Sequence, residues 1–334
     1  MKKATARAHA NIALAKYWGK RDEALILPYF DSLSVTLDAF FTTTSVEFSD
    51  VFEEDSLELD GEIFRAGEKE FDRLLAPLSH IREQSGVAES MRAVSKNDVP
   101  TAAGLASSAS GTAAFVMAAA AAAGLNVSSK ELSILARMGS GSASRSLFGG
   151  FAQWHAGTQN DGSDSFAEQL VEQDEWPEFR VVACIVSKKQ KKVASRAGMK
   201  QTVATSPLYE GWKQQAPLDV AAMKQALAAK DFTTLGQIAE SSFAQLHATM
   251  LSTNPPILYM APASVEVINT IWAARETGEF EGYITMDAGP QVKIFCLAHD
   301  VEAISTAVSA VSGVQEVVVS SVGPDPTLLS EHLF

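Results

Sequence analysis

Residues 112–125, TAAFVMAAAAAAGL, run for 14 positions without a charge. A helix built from such residues has no polar face, so protein must enclose it on every side. The run falls short of the roughly 20 apolar residues that a bilayer requires. The chain therefore needs a core wide enough to surround a helix. With 334 residues, 46% of them hydrophobic and 20% charged, it has the material for one. That length exceeds one typical domain, so two lobes or one large fold are expected.

Immediately before this helix, residues 100–111 read PTAAGLASSASG. A phosphate group needs close backbone approach, several converging N–H donors and the partial positive charge of a helix N-terminus; small side chains permit all three. Ser107, Ser108 and Ser110 can add hydroxyls toward phosphate or a divalent cation. Taken alone, the segment reads equally well as a Gly/Ser loop capping a core helix. It is neither a Walker loop nor a dinucleotide fingerprint.

The rest of the early chain is β-rich. Positions 32–48 alternate Leu33, Val35 and Leu37 with Ser34, Thr36 and Asp38, and Asp60-Gly61 joins 57–59 to 62–64 as a hairpin. The spacing of Phe71, Leu74, Leu75, Leu78 and Ile81 predicts a helix over 70–84, followed by a short strand at 92–95. Helices over 108–123 and 129–147 are each opened by a serine suited to N-capping. Residues 157–165, GTQNDGSDS, predict a flexible surface loop. The second half offers a strand at 179–187, a basic run at 188–192, and helices over 218–229, 232–249 and 263–277. Strands at 282–286 and 291–297 flank a tight Ala288-Gly289-Pro290 turn, and a helix and a strand close the chain. This interleaving lacks strict βαβ repetition and predicts an α+β chain with lobes over 1–186 and 187–334.

A formal net charge of −13 opposes nonspecific attraction to nucleic acid or to an anionic membrane surface. Any site for anions must therefore concentrate its cations locally. Cys184 and Cys296 lie in VVACIV and IFCLA, which read as buried strands carrying reduced structural thiols. The N-terminal apolar stretch is too short for a signal peptide, so a cytoplasmic location is expected. The six histidines show no paired ligand spacing, and two separated cysteines cannot form a zinc cluster. If the loop does take a phosphate, a divalent cation could be held there by phosphate oxygens, water and a loop serine.

The loop has the form Pro-x-x-x-Gly-Leu-x-Ser-Ser-x-Ser, which resembles the GHMP kinase superfamily. Three further segments, NIALAKYWGK at 11–20, GSGSASRS at 139–146 and MDAGP at 286–290, together resemble the diphosphomevalonate decarboxylase family more closely than the simple kinases. The similarity runs from about residue 10 to the closing helix and includes LFGGFAQW at 147–154 and SRAGM at 195–199. It implies a two-lobed GHMP kinase fold, with a ribosomal-S5-like N-terminal lobe and a ferredoxin-like C-terminal lobe. ATP, Mg²⁺ and mevalonate 5-diphosphate would meet between the lobes, and the chain would form a homodimer. The implied reaction is ATP-dependent decarboxylation to isopentenyl diphosphate by way of 3-phosphorylation. A monophosphate-specific decarboxylase or a mevalonate 3-kinase of the same superfamily is the alternative.

Carried over residue by residue, the resemblance puts Asp287 at the 3-hydroxyl, as a base or an orienting group. By itself, an Asp before Ala-Gly-Pro reads as bonding its own turn. Arg145 would grip the substrate carboxylate with its planar fork, helped by Ser140, Gly141 and Ser142; an interdomain salt bridge and helix capping are the plain alternatives. Lys16, Tyr17, Trp18, Gly19 and Lys20 would form a binding edge, with Lys20 the cation nearest the reacting centre. Ser195 and Arg196 match the diphosphate side, and Gln190 interrupts the lysine run before them, from which no single lysine is nominated. The nucleotide side would comprise Ser95, Gly104, Leu105, Ala106, Ser107, Ser108 and Ser110, with Ser107 a Mg²⁺ ligand through ATP. Two departures from the family pattern stand out: Tyr29-Phe30-Asp31 replaces a more polar stretch, and Gln291 stands where Asn is common.

Overall fold

The computed structural model describes residues 2–98, 107–187 and 192–334. The first sheet is built on two long strands, β1 (Lys3–Ala15) and an 18-residue strand (Ser32–Ser49), separated by the short pair β2 (Lys20–Asp22) and β3 (Leu27–Pro28). With the long strand as β4, the sheet continues through β5 (Ser56–Leu59), β6 (Glu62–Phe64), β7 (Ser90–Asp98), β8 (Phe151–Trp154) and β9 (Ala167–Val171). The hairpin between β5 and β6 turns where expected, with Asp60 and Gly61 both at positive φ, as a two-residue hairpin loop requires.

A bulge decides what β1 can do. Its pairing with β4 shifts register between His9 and Asn11, which swaps the face presented by alternate residues. Before the bulge, Ala4, Ala6 and Ala8 pack with Ala113, Ala114 and Ala118 of the helix Ser107–Ala122. After it, Ile12 and Leu14 join a different core, and Asn11 turns toward the segment 141–147. Small residues on both partners let the apolar helix lie close to the strand, which is how it comes to be enclosed.

Four helices accompany this sheet: α1 (Lys69–Asp72), α2 (Leu75–Ser85), α3 (Ser107–Ala122) and α4 (Ser129–Gly139). The single helix expected over 70–84 is thus two, because Pro77 lacks an N–H and crowds the carbonyl four residues back, at Arg73. The helix expected over 129–147 stops at Gly139; Ser140 is extended, and Gly141–Leu147 forms a 3₁₀ turn. Ser128 caps α4 in a reciprocal capping box with Glu131. The loop at 157–165 is tied down: the buried Arg137 guanidinium donates to the carbonyls of Leu25, Gly162 and Ser165.

The second sheet is antiparallel, in the order β11 (Gly282–Thr285), β12 (Val292–Leu297), β10 (Phe179–Ile185), β13 (Glu316–Ser321). β10, which a boundary at 186/187 assigns to the first lobe, is hydrogen-bonded inside this sheet. One face packs Val182, Cys184, Ile294 and Cys296 against α8 (Pro262–Thr277) and α9 (Val301–Ser309). The other face sends Val181, Ala183, Tyr283 and Phe295 into a core shared with Ile12, Leu14, Leu33 and Val35 of the first sheet. Between these elements run α5 (Ser195–Thr205), α6 (Tyr209–Ala229) and α7 (Phe232–Leu251). α5 was not foreseen, and α6 begins nine residues earlier than the expected 218, carrying Pro217 inside it. Buried Tyr209, Trp212 and Ala216 hold that first half in place despite the proline. A last strand, β14 (Thr327–Leu329), returns to pair with β1.

Candidate active site

Asp287 stands two residues beyond β11, in the turn leading to β12, with its side chain 42% exposed. Each of its oxygens meets an ammonium group. Lys16 Nζ donates to Oδ1 at 2.8 Å, and Lys293 Nζ to Oδ2 at 3.3 Å. Lys16 follows the last residue of β1 and is fixed there by its backbone N–H, which donates to Ser242 Oγ on α7 at 3.0 Å. Burial pushes the Lys16 amine down to about 8, with Asp287 pulling against that shift. Enclosure alone would raise the Asp287 carboxyl, but the two ammonium groups outweigh it and hold the acid well below the ordinary carboxylate range. His247 of α7 lies behind the turn, bonded to the Asp287 backbone. Burial and the neighbouring Lys16 keep its imidazole neutral, down to about 4.

Arg145 sits in the 3₁₀ turn and is 2% exposed. Its fork is spread over neutral acceptors: Asn11 Oδ1 at 3.2 and 3.3 Å, Ser34 Oγ at 3.0 Å and Ser32 Oγ at 2.5 Å. Among the described residues no carboxylate comes within salt-bridge distance of it. A buried guanidinium without a touching counter-ion is costly, and burial lowers it to about 10. Asn11 in turn donates to Ser142 O at 3.0 Å and Ser146 Oγ at 2.8 Å, so the bulge in β1 orients the arginine. Together with Lys16 and Lys293, three cations surround one carboxylate, an arrangement that attracts a polyanion.

The other expected residues divide sharply. The Tyr17 ring packs edge-on against Trp154 at 4.7 Å, and a Cβ at Gly141 would lie 2.7 Å from Trp154 and 3.0 Å from the Tyr17 hydroxyl. Trp18 is in the core, its indole N–H donating to Thr202 Oγ1 at 3.0 Å. Gly19 has φ +99 and abuts Tyr209. Lys20 is not the ammonium at Asp287: its Nζ is 2.6 Å from Glu23, because β2 carries it away from the carboxylate while Lys16 points in. Ser140 ends α4, and the Ser142 carbonyl serves Asn11. Ser195 opens α5, and Arg196 donates to Gly139 O at 2.8 Å, tying α5 to the end of α4. Ser95 and Ser110 are buried and bonded to Thr44 and Thr42 of β4, whereas Ser108 is exposed on the first turn of α3. Ser107 begins α3; Gly104, Leu105, Ala106 and Lys188 to Lys191 lie outside the described residues. Both departures have structural partners: Phe30 packs on Trp212 at 5.0 Å, Asp31 accepts from Ala156 N at 2.7 Å, and Gln291 bridges Val186 and Ser187.

The family model described as the diphosphomevalonate decarboxylase-like N-terminal domain matches residues 8–167, and that of the mevalonate 5-diphosphate decarboxylase C-terminal domain matches 181–329. The chain belongs to the diphosphomevalonate decarboxylase family. The family enzyme from Ganoderma lucidum is 41% identical over 315 residues, 87% of this chain and 78% of that one. The mevalonate diphosphate decarboxylase from Enterococcus faecalis superposes with a TM-score of 0.90 at 42% identity, over 98% of both chains. A structure of MDDEF in complex with MVAPP, AMPPCP and magnesium gives 0.91 at 43% identity, again over 98% of both. The two-lobed GHMP kinase fold is therefore that of the decarboxylase family. Within it, Asn11, Ser32, Ser34, His247 and Lys293 are contacts that motif reading passed over. The signal available for Lys293 was a lysine inside an otherwise apolar strand.

Proposed function

We infer that this chain carries out ATP-dependent decarboxylation of mevalonate 5-diphosphate, yielding isopentenyl diphosphate, ADP, phosphate and carbon dioxide. The observation that carries this reading is the trio of buried cations around Asp287. A triphosphate and a substrate bearing a diphosphate and a carboxylate need fixed positive charge, and phosphoryl transfer needs one acceptor aimed at the attacking hydroxyl. Asp287 orients the 3-hydroxyl, whose oxygen takes the γ-phosphoryl group as the bond to ADP breaks and whose proton passes to Asp287 or to solvent. Arg145 holds the carboxylate in bidentate fashion until it leaves. The C–CO₂⁻ bonding pair then becomes the new double bond while the C–O pair departs with phosphate.

The residues present suit a nucleotide-borne cation. No group of three or more acidic or histidine ligands occurs among the described residues, so Mg²⁺ would be held by phosphate oxygens and by hydroxyls at the start of α3, Ser107 or Ser108. There it neutralises phosphate charge. The two lobes divide ahead of β10, and the family resemblance supports a homodimer. A cytoplasmic location is supported by the two unpaired, buried cysteines; among the described residues no helix is long and apolar enough to cross a membrane.

Incubation with ATP, Mg²⁺ and mevalonate 5-diphosphate, following ADP, phosphate and carbon dioxide together, tests the reading. Equal release of all three is expected. Release from the 5-monophosphate alone would change the substrate, and ADP without carbon dioxide would make the protein a kinase.

A further inference from the structure

We propose that Lys293 is a positioning residue for this reaction, acting through Asp287 by holding its second carboxylate oxygen while Lys16 holds the first. The inference rests on the decarboxylase reading for its kinetics alone. Lys293 is the second residue of β12, in which Val292, Ile294 and Cys296 face the helices α8 and α9. Alternation therefore turns Lys293 the other way, with Phe295, toward the core shared with β1. Sheet pairing fixes its backbone on both sides: Thr285 of β11 and Ala183 of β10 are its direct neighbours. It is 4% exposed, and among the described residues Asp287 is the carboxylate within salt-bridge distance. An ammonium buried in an apolar strand is a poor choice for stability unless it is paired.

The geometry explains what a second lysine adds. One contact leaves a carboxylate free to rotate about its last bond; a contact on each oxygen fixes its plane. Each oxygen retains a lone pair, so the acceptor stays available to a hydroxyl. The charged or titratable groups facing Asp287 are Lys16 beyond β1, Lys293 on β12, His247 on α7 and Arg145 from the 3₁₀ turn. Removing Lys293 leaves Lys16 as the one touching cation, so the carboxyl must become easier to protonate.

The test compares Lys293→Met, Lys293→Gln and Lys293→Arg with the wild type. The neutral variants are expected to bind AMPPCP normally and keep KM within about threefold, while kcat falls about 10- to 100-fold through misalignment. The acidic limb of the kcat profile should move to higher pH, and Lys293→Arg should recover much of the rate. A second readout needs no substrate: carbon-13 titration of the aspartate carboxyls, assigned with Asp287→Asn, should show Asp287 protonating at higher pH in Lys293→Met. A wild type inactive on mevalonate 5-diphosphate would overturn the functional reading and leave that titration to judge Lys293. Wild-type kcat and an unmoved Asp287 titration in both neutral variants would overturn the proposal, as would failure of both to fold.

Discussion

Arg145 carries its charge into a pocket of hydroxyl and amide oxygens, where its three nitrogens donate to Asn11, Ser32 and Ser34 and one N–H on each terminal nitrogen is left for a ligand. Lysine at this position would keep the charge but lose the planar fork. Arg145→Lys is expected to lower kcat/KM about 100-fold or more with the fold intact, measured by steady-state kinetics beside a thermal melt; wild-type kinetics would make the arginine a structural brace. Lys16 offers a pH test. Its amine is held to about 8, first by burial, so the ammonium needed at Asp287 is present below that value and lost above it. kcat/KM, which reports the free enzyme, should therefore fall as pH rises through about 8. In the complex the substrate's anions favour the charged form, so the limb of kcat should lie higher. Coincident limbs would remove Lys16 from the site.

The elements that carry the site are held by turns whose residues leave little freedom. Gly19 combines φ +99 with a position where a Cβ would lie 2.1 Å from the Tyr209 hydroxyl, itself bonded to Trp18 O at 2.7 Å. Gly19→Ala should cost roughly 2–4 kcal/mol from backbone strain and overpacking, read by urea unfolding. This joint between the 16–20 segment and α6 also shows the reach of sequence reading. Asp287, Arg145 and Lys16 each draw notice as part of a run of unusual residues, and the structure gathers these three side chains, whereas Trp18 and Lys20 of the same run turn elsewhere. That Lys16 and not Lys20 touches Asp287 was not legible, because both belong to one motif and only the course of β2 separates them. Asn11 and the bulge that aims it left no local mark, since a register shift depends on the partner strand. The break before Pro77 was foreseeable from proline's missing N–H, whereas the persistence of α6 through Pro217 depends on tertiary burial at Tyr209 and Trp212.

At the scale of the molecule, each sheet has one core of its own against its helices, and the two share a third. Ile12, Leu14, Leu33 and Val35 from the first and Val181, Tyr283 and Phe295 from the second share one core, closed by Met223 and Leu227 of α6 and by Leu235 and Ala239 of α7. Cutting the chain between β9 and β10 would expose that surface on both products. Residues 1–178 and 179–334, expressed separately, are expected to be insoluble or loosely folded by circular dichroism and to regain activity only when refolded together; two stable, monodisperse fragments would show that the lobes fold independently. β14 adds a consequence of timing. The strand at 327–329 covers the edge of β1 from Thr5 to Arg7, so a late-made strand shields part of one made far earlier. On the ribosome, that rim of amides lacks its native partner until residues 327–329 have been made. The nascent chain thus carries a sticky edge for the more than 300 residues of synthesis that separate the two strands.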